Sequence, residues 1–376
     1  MSAHPARVTS DPELENPHRV VIRSVGSAVP ASAASVAAGL GVPVRRVVEA
    51  FYRAPAVLVD QVSPEIADSM AKLLGELGYE ADAEPETVPR LEPEQLFDVA
   101  VHVEDVQQYA AIVAALSRFI GSSDEEAARL LSTPPAIVLG GVSAATVAAL
   151  KVALGAGASV VHSDPDVAAY DLFLAQCEPR IADQVLADLR RRGHEPLGRG
   201  GCILTGLERV EADGLWAQHQ KTGALRVVNR DFLRFDVVLT GPAAATPTAE
   251  QTAALTEVAG IPEAVVPAVF GELPITLMDA VPSADLPRIL DALAAAGLEV
   301  SAELVTFLHL GLEIVAAESP RRLQGTLTEL GILKAGEMLP RLPFRLPYHM
   351  PELQARLMRD SLAGIGVRAM LVEAPG

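Results

Sequence analysis

The sequence predicts an α+β protein: a tandem array of small β-α-α-β-α-β two-layer sandwich domains, five in number, the third degenerate. Three observations predict it. A ten-residue segment recurs, as APAVLVDQVS from Ala54, PPAIVLGGVS from Pro134, LPITLMDAVP from Leu273 and LPFRLPYHMP from Leu342. In three copies the spacing from the segment's first residue to a later glycine is identical, 54 to 78, 273 to 297 and 342 to 366. Between those two points each copy carries a helix-period apolar pattern. Self-similarity of this kind is the mark of a multiplied folding unit.

The elements follow in order within each copy. A strand comes first, read from the apolar runs RVVIRSV at Arg19, LFDVAVHV at Leu96, RFDVVLTG at Arg234 and LHLGLEIV at Leu308. Two shorter helical runs come next, and the recurring segment then supplies a turn and a second strand. A longer helix follows. Its apolar face is predicted to be Ile66, Met70, Leu73, Leu74 and Leu77 in the first copy. The matching residues are Leu286, Ile289, Leu290 and Leu293 near position 273, and Leu353, Leu357, Met358 and Leu362 in the last copy. Pro64, Pro282 and Pro351 stand at or near the first helical turn, where a missing N–H costs nothing. Gly78, Gly297 and Gly366 close the helix, because a helix C-terminus often needs a left-handed residue. The second copy has Ala158 there, beside Gly157. A short third strand ends each unit: YEADAE, LEVSAE and VRAMLVE.

The expected boundaries are a disordered tail over 1–18 and repeats over 19–86, 96–166, 234–304 and 306–374. Residues 170–231 contain a strand (YDLFLAQC), a helix (EPRIADQVLADLRRRG), a second strand (CILTG), a helical stretch through Trp216, and GALRVVNRD. The recurring segment is not recognisable there, so the stretch reads as a degenerate third repeat or as a different inserted domain. A unit of roughly 70 residues buries only about 60% of its surface, so neighbours are expected to pack together. The longest clear linker, AEPETVPRLEPEQ from Ala83 to Gln95, is short, which favours fixed relative orientations.

Composition excludes several classes. Of 376 residues, 50% are apolar, which excludes a mostly disordered chain. A formal net charge of −18 argues against a nucleic-acid partner and against an anionic membrane surface. Aromatics make up 4%, thin material for base stacking. Two cysteines, Cys177 and Cys202, exclude a framework of several disulfides and favour a reducing, cytoplasmic setting. The polar, Pro-rich N-terminus lacks the apolar core of a signal peptide. From Pro134 to Val161 the single charge is Lys151, which hydropathy alone reads as a membrane span. Pro134-Pro135, Gly140-Gly141 and the charged counterpart at 54–81 argue against insertion.

The second copy, LFDVAVHV followed by EEAARLLSTPPAIVLGGVSAATVAALKVALGAGASVV, resembles the C-terminal domain of the bacterial ribosomal stalk protein. The residues that carry the resemblance are Phe97, Asp98, Val99, Pro135, Ala136, Val142, Ser143 and Gly157. In the first copy they are Ala54, Pro55, Ala56, Val62, Ser63 and Gly78. That fold is similar to the one of the adaptor that delivers substrates to the Clp protease. Both relatives bind protein partners and neither is an enzyme, so the resemblance implies a protein-binding role. The stalk family recruits translational GTPases through two lysines, and these positions hold Glu125 and Ala128 in the second copy and Arg45 and Val48 in the first. A reversal to Glu removes attraction and adds repulsion.

No catalytic constellation stands out: there is no Walker loop, Gly-x-Ser-x-Gly, His-Glu-x-x-His or Cys-x-x-Cys. No cofactor or metal is expected. His162, Asp164 and Asp166 could ligate a metal but read first as a solvated loop, and Cys177, His194 and Cys202 lack zinc spacing. Residues 171–230 hold nine Lys or Arg against eight Asp or Glu, a basic island in an acidic chain. Its densest group, Arg190, Arg191, Arg192, His194 and Arg199, is a candidate site for an anion or an acidic partner. The alternative is a helix end whose arginines balance the dipole and stay solvated. Trp216 is expected in the core. Arg45, Arg46 and Arg53 are candidate partner-binding residues on the first repeat.

The expected function is a non-catalytic scaffold or adaptor, assembled into a larger complex, with protein partners and neither nucleic acid nor membrane insertion. The alternatives are a ribosome- or GTPase-associated regulator, and an anion-binding protein or enzyme centred on 170–231.

Overall fold

The structure, a computed structural model, describes residues 16–29, 31–90, 95–175, 177–197, 201–242, 246–334 and 336–373. The chain is a mixed α and β protein, 42% helix and 28% strand, with several small antiparallel sheets. The elements run β1 (His18–Ser24), α1 (Ala31–Leu40), α2 (Val44–Tyr52), β2 (Ala56–Val62), α3 (Pro64–Glu76) and β3 (Glu80–Pro85). Next come β4 (Phe97–Val103), α4 (Tyr109–Ile120), α5 (Asp124–Leu131), β5 (Ile137–Val142), α6 (Ala144–Leu154) and β6 (Ala158–Ser163). The middle holds β7 (Tyr170–Leu174), α7 (Pro179–Arg191), β8 (Cys202–Leu207), α8 (Arg209–His219) and β9 (Leu225–Asn229). Then follow β10 (Arg234–Gly241), α9 (Ala249–Ala259), α10 (Val266–Val269), β11 (Ile275–Pro282), α11 (Leu286–Ala295) and β12 (Glu299–Leu304). The last are β13 (His309–Ala317), α12 (Pro320–Glu329), β14 (Phe344–Arg345), β15 (Met350–Pro351), α13 (Glu352–Ala363) and β16 (Val367–Glu373).

The sheets are ordered β2–β1–β3, β5–β4–β6, β8–β7–β9 and β11–β10–β12, and in the last β13 lies between β16 and the short pair β14 and β15. In each the earliest strand is central. The chain divides into two compact units, one of residues 1–98, 110–128 and 139–160, the other of residues 99–109, 129–138 and 161–376.

In the first unit, Val20, Val21 and Ile22 of β1 are all buried. Side chains alternate along a strand, so consecutive burial means that both faces of β1 are covered. Both α3 and α6 touch it. The helix starts follow local chemistry. Ser63 caps α3 by accepting from the Ile66 N–H, and Ser143 caps α6 by accepting from Thr146. Gly78 follows α3 with φ +96°, and a Cβ there would meet the Ala28 nitrogen at 2.9 Å.

In the second unit, β7 shows what covers a second face. Leu172 packs with Val185, Leu186, Leu189 and Ile203, whereas Phe173 packs with Val228, Leu233, Phe235 and Phe307. The Phe173 and Phe307 rings meet edge-on at 4.9 Å, and the Arg226 guanidinium lies 5.0 Å from the Phe307 centroid. Separate apolar clusters form around Val237, Leu255 and Leu293, and around Leu312, Leu323 and Leu362.

One polar device recurs. The second strand of four sheets contains a residue at positive φ: Gln61, Gly141, Gly206 and Ala280. In three of them an aspartate of the central strand accepts the backbone N–H of that residue. Asp98 holds Gly141 at 3.1 Å, Asp171 holds Gly206 at 2.9 Å and Asp236 holds Ala280 at 2.8 Å. In the first sheet Arg19 stands in the aspartate's place, and Glu86 takes the Gln61 N–H at 2.7 Å. The positive φ turns this N–H out of the ladder, and a carboxylate satisfies it.

The structure departs from expectation in five places. On α3 the buried residues are Ala67 and Leu74, while Ile66, Leu73 and Leu77 are 52%, 59% and 44% exposed. The sheet meets a narrower stripe than periodicity implies, and a small residue, Ala67, permits the close approach. The helix of the second segment closes at Gly155 with φ +67°, two residues before Gly157. Pro282 ends β11, and α11 starts four residues later with Pro287 in its first turn. Among the described residues a single helix precedes the second strand in the third and fifth segments. In the fifth, Gly331 and Gly336 at positive φ and Pro340 and Pro343 break the run, and Pro347, unable to donate, splits the second strand into β14 and β15. Trp216 is 46% exposed, since α8 buries Ala212, Leu215 and His219 and Trp216 falls on the next face. No helix among the described residues is long and apolar enough to cross a membrane. Residues 1–15 of the expected tail lie outside the described residues.

Candidate functional site

The arginines singled out on the first repeat do not converge. Arg45 lies 88% exposed and donates to Glu49 one turn on, at 2.9 Å. Arg46 is exposed. Arg53 follows α2 and donates to the Gly141 carbonyl at 3.3 Å, so it serves packing within the first unit.

The basic group of the middle segment is organised around one carboxylate. Asp188 accepts from Arg191 at 2.9 Å, from Arg192 at 3.2 Å, from the Gln218 amide at 2.6 Å and lies 3.1 Å from His219 Nε2. Burial alone would raise the Asp188 pKa, but the contacts from His219, Arg192 and Arg191 outweigh it and hold the carboxyl below its usual range. Arg192 also donates to the Gln218 carbonyl. His194 turns instead to Glu211, 3.6 Å away. Arg190 is exposed on α7, and Arg199 lies outside the described residues. Asp188 thus occupies two of the guanidinium groups that sequence reasoning offered to a ligand.

The remaining candidates are separated. Asp164 accepts the Asp166 N–H at 2.9 Å, and Asp166 pairs with Arg209 at 2.6 Å. No cluster of three or more His, Cys, Asp or Glu suited to a metal occurs among the described residues. Both cysteines are free and half-buried. Burial, with Asp171 nearby, pushes the Cys202 thiol up to about 11, which makes it a poor nucleophile.

A different place gathers functional groups. Wholly within the second unit, β4, β10, β11, β13 and α13 border a cavity of about 500 Å³. Its walls include Leu131, Phe232 and Leu371, and its polar groups include His102, Arg234, Glu352 and Arg356. Arg356 is pinned: Nη1 donates to the Val103 carbonyl at 2.9 Å, Nη2 to the Glu104 carbonyl at 2.6 Å, and Glu352 lies 3.4 Å away. Arg234 donates to the Ala280 carbonyl at 3.0 Å and lies 3.7 Å from Glu104. His102 Nε2 is 3.9 Å from Glu104. Burial, then the charges of Arg234 and Arg356, push the imidazole down to about 3, so it is neutral at physiological pH. Burial raises the Glu352 carboxyl against the opposing pull of Arg356, Arg234 and Arg359. The arrangement offers three guanidiniums, of Arg234, Arg356 and Arg359, five carboxylates, of Glu104, Asp231, Asp236, Asp279 and Glu352, a neutral donor-acceptor ring and apolar walls. That suits binding, and none of these polar groups is an activated nucleophile.

Sequence reasoning missed this cluster because its members lie in three segments far apart along the chain. The available signal was polar residues inside strand-forming apolar runs, such as His102 in FDVAVHV.

No protein-family model, curated protein or solved structure matches the chain.

Proposed function

We propose that this chain is a non-catalytic scaffold or adaptor, a tandem array of stalk-like domains that presents its surfaces to other proteins in the cytoplasm. The observation that carries the reading is the recurring carboxylate on the second-strand bulge. Asp98, Asp171 and Asp236 make the same contact in three sheets that share the order second–first–third strand. One unit copied along the chain explains that recurrence, and on this view the third segment is a repeat that has lost a helix. Copied units supply extended surface, whereas a catalyst needs one preorganised site.

Hydrogen bonds between neighbouring segments within each unit support the same reading. The Tyr52 carbonyl at the end of α2 accepts from the Ser143 N–H at 3.0 Å and the Thr146 hydroxyl at 2.8 Å, at the cap of α6. The Tyr52 hydroxyl donates to the Phe119 carbonyl at 2.6 Å. Further along, Ser163, Asn229 and Asp231 form a hydrogen-bonded set between β6 and β10.

Affinity purification of the native protein, followed by cross-linking and mass spectrometry, tests the proposal. A stoichiometric protein partner cross-linked to defined segments is the expected result. A monomer with no partner would overturn it, and recovery of ribosomal proteins would instead favour a ribosome-associated regulator.

A further inference from the structure

We propose that α3 of the first unit pairs, antiparallel, with α3 of a second copy of this chain. The inference deepens the scaffold reading by naming one of its partners, and it rests on that reading in treating α3 and α6 as copies. Ile66, Met70, Leu73 and Leu77 follow one another by steps of four, three and four residues. That alternation marks a seam where one helix meets another. The seam is not spent on the unit's own core, since α3 turns Ala67 and Leu74 to the interior and leaves Ile66, Leu73 and Leu77 about half exposed. Four such side chains form a patch on the order of 300 Å², the size at which an exposed apolar patch often marks a contact site.

The copy of this helix in the same unit shows that the face docks. Counting from Ala54 and Pro134, Ile66, Met70 and Leu77 match Thr146, Leu150 and Gly157 of the second segment. Those three are buried, and Thr146 donates to the Tyr52 carbonyl at the end of α2. On α3 the same positions carry larger apolar side chains and stand open. The spacing of the seam reads the same in both directions, so every copy of the chain carries its complement. A two-fold axis between Ala71 and Lys72 sets Ile66 against Leu77 of the second copy and Met70 against its Leu73. The solvent flank of the seam holds Ser69 and Glu76. The same axis brings Glu76 beside Ser69 of the second copy, whose hydroxyl can donate to the carboxylate, and keeps the two Glu76 side chains at opposite ends. Opposed helix dipoles favour this orientation as well, and two-fold pairs are the commonest closed assembly of identical chains. The patch falls short of the roughly 800 Å² per partner of a stable complex, so the pair is a weak one.

Sedimentation equilibrium of the full chain from low micromolar to millimolar concentration tests this. A monomer–dimer equilibrium with a Kd on the order of 10–100 µM is expected. It should tighten as salt screens the repulsion between two chains of net charge −18. Leu73→Lys puts an ammonium into the seam and should weaken the dimer about thirtyfold or more, while the monomer keeps its melting temperature. Leu77→Lys serves the same purpose if the first variant fails to fold. Under oxidation, a mixture of Met70→Cys and Leu73→Cys chains should form a disulfide-linked dimer faster than either chain alone, with the wild-type chain and its half-buried Cys177 and Cys202 as baseline. Faster linkage of Met70→Cys by itself would overturn the antiparallel arrangement. A monomer at every concentration would overturn the proposal, as would a dimer indifferent to both lysine variants. If the purified chain stays monomeric while a different protein cross-links to Lys72, this inference falls and the scaffold reading stands.

Discussion

Replacing Glu84 by Gln should destabilise the first unit by about 3 kcal/mol, because it strands a buried arginine. Arg19 is 2% exposed and Glu84 12% exposed. The Arg19 Nε donates to Glu84 at 2.7 Å, and Nη2 donates to the same oxygen and to the carbonyls of Val88 and Pro89 at 2.8 and 3.1 Å. Breaking a buried pair from one side costs about 3–5 kcal/mol. The two carbonyls remain, which places Glu84→Gln at the lower end. Arg23, 31% exposed, also loses its 2.7 Å contact, worth about 0.5 kcal/mol. Arg19→Met removes the charge that must be satisfied, and Glu84 keeps Arg23, so that variant should cost about 1 kcal/mol. The double variant leaves no buried charge unpaired and should cost little more than Arg19→Met. The coupling between the sites is then about 2 kcal/mol or more. Urea unfolding gives the energies, and hydrogen exchange of the Val20–Ile22 amides assigns the loss to the first unit. Equality of the double variant with the sum of the singles, within about 0.5 kcal/mol, would refute the reasoning.

Three further outcomes are expected. Leu73→Lys on the exposed side of α3 should change stability by less than about 0.5 kcal/mol, whereas Leu74→Ala one residue on should cost about 2–5 kcal/mol; thermal unfolding separates them. His102 is held neutral with its pKa lowered to about 3, so between its ordinary value near 6.5 and 3 the unfolded chain binds a proton that the folded chain refuses. Stability contributed at His102 is therefore present above pH 6.5 and lost as pH falls through that window, and His102→Gln should flatten this part of the urea midpoint against pH. At pH 8 the Cys202 thiolate should be about 100-fold scarcer than for a thiol at the ordinary value of 9, so its reaction with a thiol reagent should be correspondingly slow until urea is added.

Local chemistry was legible wherever a residue acts on its own backbone neighbourhood. Pro64 stands in the first turn of α3, and Gly78, Gly297 and Gly366 follow helices with φ of +96°, +74° and +76°. The helix read over Pro179 to Arg192 is present as α7. What failed was part of the choice of buried face. On α3 the apolar stripe Ile66, Met70, Leu73, Leu74 and Leu77 holds at Leu74, but Ile66, Leu73 and Leu77 are exposed and Ala67, which hydropathy ranks below them, is buried. Sequence leaves the arginines at the end of α7 as either a ligand site or a solvated helix end, because nothing nearby in sequence shows that Asp188 also gathers Gln218 and His219 from α8.

The sequence by itself determined that a ten-residue segment recurs along the chain and where helix-closing glycines such as Gly78, Gly297 and Gly366 fall, since those depend on contacts a few residues long. Only the tertiary structure decided that central strands such as β1 and β7 are covered on both faces. It alone brought His102, Arg234 and Arg356 around one cavity. Burial and electrostatic neighbours are set by residues hundreds of positions apart, and no local pattern encodes which distant segment will supply them.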